Sequence, residues 1–288
     1  MDYLHFRFPS VLSTIFAQEV VASFRATRLL LGIWCLLSAL EWIRNVSLFK
    51  EDDLLSWRIL SLRPGRLFRE GRLQTFVWER SIAWVLGIRI AAAIGLMLTP
   101  DPVWQLLALL TIVTTSWFLT VRSWLGSDGA EQMGQIVSLG ALMIAAGLSF
   151  DQLGLSFAGT LMIGGQLTIS YFFAGFSKLF SANWRSGQAL VGAMGTHSYG
   201  HGFAARIASG SVAFSAGLCW LVIVTETFFP LALFAPHTVL LFTLAAFFMF
   251  HVANAYFMGL NTFVWAFAAT YPSVILLNDL ITGALDWR

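Results

Sequence analysis

Charged side chains are scarce in this sequence. Asp, Glu, Lys and Arg make up 11% of its 288 residues, less than half the share of about 25% usual in soluble domains. Lysine occurs only at Lys50 and Lys178, and the formal net charge is +2. So weak a positive balance, with the arginines spread rather than clustered, excludes a nucleic-acid groove binder. Cysteine is nearly absent. Cys35 and Cys219 lie far apart in apolar runs, which excludes a disulfide framework and leaves them as small buried hydrophobes. No cleavable leader pattern is expected, because the first strongly apolar stretch begins near Leu29, behind Arg25 and Arg28, and reads as an uncleaved span. Phosphate-binding glycine loops, nucleophile elbows and dinucleotide fingerprints are missing too. So are clear internal repeats, which argues against an inverted-repeat transporter.

What the sequence has in abundance is apolar surface. Hydrophobic residues make up 58% of it and mean hydropathy is +0.75, enough for seven or eight membrane spans of about 20 residues. The expected fold is all-α: a polytopic integral membrane helical bundle, a single domain over residues 1–288, with amphipathic interfacial helices. Spans are expected at Thr27–Ile43, Ser81–Leu98, Val103–Leu125, Gln132–Phe150, Leu153–Leu179, Ser211–Phe234, Thr238–Phe257 and Thr262–Leu280. The last is interrupted by Asn261 and Pro272. Phe8–Phe24 mixes apolar and polar residues at helical spacing and suggests an interfacial helix ahead of the first span.

Residues 44–80 read as an amphipathic, Arg-rich cytoplasmic loop. Within it Leu54, Leu55, Trp57, Ile59 and Leu60 suggest a helix on the membrane surface, and Arg63, Arg66, Arg69 and Arg72 follow around Pro64-Gly65. That basic face suits anionic lipid, at about 1 kcal/mol per residue, or a docking partner. Lysine and arginine crowd the odd-numbered loops, which the positive-inside rule places in the cytoplasm, with the carboxyl terminus outside. Arg25 and Arg28 pull the amino terminus the other way.

Several polar residues fall inside the spans, where ionisable groups mark sites or paired structural charges. Gly164, Thr168, Tyr171, Gly175 and Lys178 recur every three or four residues and share one helix face. The small residues there permit close helix packing, which turns Lys178 towards the bundle; the opposing reading is a lysine that snorkels to the headgroups. Arg89, mid-span, is expected to face the bundle as a paired structural charge. Glu226 precedes Pro230, whose missing N–H breaks the helix at that point, and reads either as a functional carboxyl or as a neutral one bonded to a neighbouring helix. His251 and Asn254 share a face of the seventh span, as structural residues or as members of one buried cluster with Lys178 and Glu226. Asp128 with Glu131 three positions on reads as a reciprocal helix cap. His197 and His201 have the spacing of a metal pair, but no zinc motif surrounds them, and no metal is expected.

The segment Tyr171-Phe-Phe-Ala-Gly175-Phe-Ser-Lys178-Leu, with Trp184 and Gly187 beyond it, resembles the signature of HTTM (horizontally transferred transmembrane) proteins. These are bacterial relatives of the membrane domain of vitamin K-dependent gamma-glutamyl carboxylase. The likeness continues through Gly126–Met133, Glu226, His251-x2-Asn254 and Gly259-x3-Phe263, from about Trp124 to Tyr271. It implies that Lys178 is a base acting on a hydroquinone of the vitamin K or menaquinone type, with Glu226 in support and His251 and Asn254 positioning ring oxygens. Tyr171, Gly175 and Trp184 would border that cofactor. It also implies a bacterial cytoplasmic (inner) membrane. The chain departs from the carboxylase in having Ser177-Lys178 where that enzyme has two lysines, and in lacking after Arg288 the large lumenal region that handles protein substrates. Peptide carboxylation would therefore require a membrane or peptide partner. The alternative is a non-catalytic membrane subunit that assembles with, matures or helps export a partner protein.

Overall fold

The computed structural model describes residues 10–50, 53–62, 81–123 and 127–283. Its helices of eight residues or more are α1 (Ser10–Arg44), α2 (Ile82–Leu98), α3 (Pro102–Arg122), α4 (Gly129–Ser149), α5 (Leu153–Phe180), α6 (Gly202–Gly210), α7 (Val212–Thr227), α8 (His237–Met258), α9 (Asn261–Ala268) and α10 (Tyr271–Thr282). No strand occurs among the described residues. Six stretches are long and apolar enough to cross a membrane, α9 and α10 counting together as one, and α6 with α7 would make a seventh although they meet at 106°. At 17 residues α2 is shorter, about 25 Å at 1.5 Å per residue. The chain is an all-helical integral membrane protein whose apolar helices face the lipid bilayer.

Local chemistry sets the helix ends. Asp101 caps α3 by accepting from the backbone N–H groups of Val103 and Trp104 (2.9 and 3.0 Å), with Pro102 in the first turn. Gly259 and Gly283 close α8 and α10 with positive φ, 74° and 68°, where a side chain would be strained. As expected from Pro272, the last span is broken, and the proline sits in the first turn of α10.

At the amino end the structure differs from expectation. The stretch foreseen as a separate interfacial helix runs without a break into the first span, because Phe16, Val20 and Phe24 are buried on the same core as Leu31 and Trp34. Arg28, instead of sitting ahead of that span, caps the last carbonyls of α2 at Leu96 and Thr99 (2.8 and 2.6 Å). Within 44–80 the helix foreseen on the membrane surface is a single turn, Trp57–Leu60, with Leu55, Trp57 and Leu60 buried. Arg122 bonds the Leu55 carbonyl from below. Arg63, Arg66, Arg69, Arg72 and the Pro64-Gly65 break lie outside the described residues, as does Trp124.

Helix α1 packs on α2, α4, α9 and α10, while α5 joins α4, α7 and α10. The α4–α5 contact is built on two glycines: a Cβ on Gly140 would lie 3.0 Å from the Gly159 carbonyl oxygen, and one on Gly159 only 2.5 Å from that of Gly140. Small residues here let the backbones touch, and this tight seam holds α5 in the register that presents Lys178.

Candidate functional site

Lys178 sits in the last turn of α5 and turns inward rather than snorkelling. Its Nζ lies 2.5 Å from Glu226 Oε2, with side-chain exposures of 19% and 5%. Trp184, on the one-turn helix Ala182–Arg185, holds its indole 5.0 Å from the same ammonium. Such a contact favours a cation. Glu226 reaches this point because α7 ends at Thr227 and the chain continues as the 3-10 helix Phe229–Phe234, with Pro230 in its first turn. Gly175 allows the approach: a Cβ there would fall 2.6 Å from Thr227 Oγ1 and 2.8 Å from Glu226 Cβ.

About two turns before Lys178 on α5, the Tyr171 hydroxyl meets His251 Nε2 of α8 at 2.8 Å. Aromatic rings enclose the pair. Tyr171 lies 4.7 Å from Phe229 and 4.3 Å from Phe247, and His251 lies 4.3 Å from Phe267. Two nearby polar atoms, His251 Nδ1 and Thr227 Oγ1, are buried without a hydrogen-bond partner among the described residues, and the buried Tyr271 hydroxyl interacts with that of Tyr171. Tyr271 and Thr227 escaped the sequence reading. Their only signal was a hydroxyl beside a helix break, next to Pro272 and three residues before Pro230.

Between α7 and α8 lies a half-open apolar cavity of about 190 Å³, walled by Leu221, Val222, Thr225, Phe247 and Phe250, with Glu226 as its one ionisable lining residue. Phe247 is shared between this cavity and the Tyr171 cluster. Lys178, Glu226, Tyr171, Gly175, Trp184 and His251 are therefore brought together. Asn254 is not drawn in by any hydrogen bond among the described residues, and it stays partly exposed on α8.

A second buried charge lies in the amino-terminal half. Arg89 is fully buried, donates to Ser116 at 2.6 Å, and stacks over Trp34 at 5.0 Å. Among the described residues it has no carboxylate in direct contact. Ser38, 3.5 Å from its other terminal nitrogen, donates to Glu131 at 2.5 Å and links the guanidinium to an acid. Asp128 caps α4 as foreseen, accepting from the Glu131 N–H at 2.8 Å; the Glu131 carboxylate, however, goes to Ser38 rather than back to the cap. His201 caps α6 through Ala204 and His197 is exposed. No group of three or more His, Cys, Asp or Glu residues able to hold a metal occurs among the described residues.

No family model matches the chain, and no curated protein or solved structure matches it.

Proposed function

We propose that this is an HTTM-type membrane enzyme that removes a proton from a lipid-soluble hydroquinone, with the Lys178–Glu226 pair as acceptor. The observation that carries the reading is a close acid–base pair whose carboxyl end borders an apolar cavity. A pair that shares one proton has room for one more. Taking it from a bound hydroxyl leaves an ammonium and a neutral carboxyl group, and the ammonium balances the negative oxygen left behind. Apolar walls exclude water and strengthen that balance.

The residues present fit a quinol ring. An apolar cavity of about 150 Å³ accommodates a benzene ring, so about 190 Å³ takes a ring and leaves the opening between α7 and α8 for a tail in lipid. When bound, a hydroquinone supplies an acidic hydroxyl and two reducing electrons. Phe247 and Phe250 offer it aromatic faces. His251 fixes Tyr171, and Tyr171 in turn fixes Phe247. Trp184 keeps Lys178 from swinging out to the headgroups. On this reading the membrane is the bacterial cytoplasmic one.

The test is solvent extraction of the purified protein followed by mass spectrometry for quinones. Wild-type protein should carry a quinone, and Ala246→Trp, which fills the cavity, should lose it while staying folded. Glu226→Gln should retain the quinone and abolish turnover. If no quinone co-purifies, and Lys178→Ala leaves the cellular phenotype intact, the non-catalytic scaffold replaces this reading.

A further inference from the structure

A second cavity lies at the corner between α6 and α7. The two helices meet at 106°, and the angle is fixed by two serines. Ser211 caps α7 at Phe214 (3.3 Å), and buried Ser215 donates to the Ala208 carbonyl of α6 (2.7 Å). Taking α7 as the membrane-crossing arm of this bent pair sets α6 across it, along the bilayer surface. Its underside carries Phe203, Ala204, Ile207 and Ala208, and its other face carries Arg206 and Ser209. Beneath it is a cavity of about 250 Å³ without a polar lining residue, walled by Met194, Phe203, Ile207, Phe214, Leu218 and Phe257. Phe203 is 56% exposed and Phe214 48%, so the cavity opens outward.

In the stretch of sequence that builds this corner, the exposed charge has one sign. No Asp or Glu occurs between Asp151 and Glu226, while Arg185 and Arg206 both lie in this stretch and are exposed. Glu226 is already taken by Lys178. The arginines therefore have no acidic side chain nearby in sequence to answer them.

From this we infer a binding site for an anionic phospholipid: its phosphate on the Arg185 and Arg206 side, one acyl chain beneath α6. A helix along the bilayer surface with an arginine on its upper face and an apolar underside suits that ligand. The site is separate from the Lys178–Glu226 pair and does not rest on its chemistry.

Native mass spectrometry of the full-length protein in mild detergent, given equal phosphatidylglycerol and phosphatidylcholine, tests the site. Phosphatidylglycerol adducts should dominate. Arg206→Gln and Arg185→Gln should each weaken them about fivefold, and Ala204→Trp should remove them. Met194→Trp serves in its place if Ala204→Trp lowers the thermal midpoint. Glu226→Gln should leave lipid binding unchanged, so failure of the quinol reading is distinguishable from failure of this one. Equal retention of both lipids, or adducts indifferent to both arginine changes and to cavity filling, would overturn the assignment. So would displacement by a quinone that ignores headgroup charge, which gives the cavity to a quinone tail.

Discussion

Removing one partner from the Lys178–Glu226 pair should be costly, and removing both much less so. In Lys178→Met the Glu226 carboxyl, 5% exposed, stays behind without its counter-charge. Breaking a buried pair in this way costs about 3–5 kcal/mol in soluble cores. In Glu226→Leu the orphan is a lysine 19% exposed at a helix end, whose four-carbon stem reaches polar headgroups, so about 1–2 kcal/mol is expected. The double variant removes both charges and should cost about 1 kcal/mol or less, since apolar replacement of a buried pair is often neutral. The coupling energy is then roughly 3–6 kcal/mol. At about 2–4 °C per kcal/mol for a chain of this size class, Lys178→Met should lower the unfolding midpoint by roughly 6–20 °C and the double variant by only about 4 °C or less. Tryptophan-fluorescence melting in mild detergent reads all four proteins. Additive single effects, or a lysine orphan as costly as the carboxyl orphan, would refute the argument that a buried pair closes this corner.

Gly175→Val should separate α5 from α7 and cost about 1–3 kcal/mol of overpacking, with loss of any activity that depends on the Lys178–Glu226 contact; an unchanged melting curve would show that the helices are not in contact there. Tyr171→Phe removes the bond to His251 and should cost about 1–3 kcal/mol for the imidazole left unsatisfied, measured by the same melts. Arg89→Leu should be among the most destabilising changes, about 3–5 kcal/mol, because Glu131 and Ser38 lose their cation. Arg89→Lys should not restore it, since one ammonium cannot both stack on Trp34 and span Ser116 and Ser38; full thermal recovery in Arg89→Lys would contradict the geometry.

The broad architecture was legible because apolar run length and helix breakers are local signals. Pro230 and Pro272 marked the two broken spans, and the three-to-four spacing of Gly164, Tyr171, Gly175 and Lys178 gave the packed face of α5. Partner choice was less legible. Nothing in the spacing says that Glu226, 48 residues on, closes on Lys178, or that the cap acid Glu131 is taken by Ser38 from α1, 93 residues away. In both cases a tertiary contact decides between local options that the sequence leaves equal. Asn254 shares the His251 face by periodicity, yet it stays partly exposed, because periodicity does not encode which neighbours a face meets.

Arg89 and the Lys178–Glu226 pair differ in access as well as in residue type. Arg89 is closed in by Trp34 and by the hydroxyls of Ser38 and Ser116, and its charge is settled through a fixed chain to Glu131. A guanidinium so enclosed, and never deprotonated in proteins, can hold α1, α2 and α3 together but has no proton to exchange. Lys178 and Glu226 are likewise paired, yet both can change protonation state, and one end borders a cavity open between α7 and α8. Thr227 Oγ1 and His251 Nδ1 are buried without a hydrogen-bond partner near that second pair, as Arg89 Nε and Trp34 Nε1 are at the buried guanidinium. Buried polar atoms left unbonded cost stability at both places, so what sets the Lys178–Glu226 pair apart is the apolar cavity at its carboxyl end.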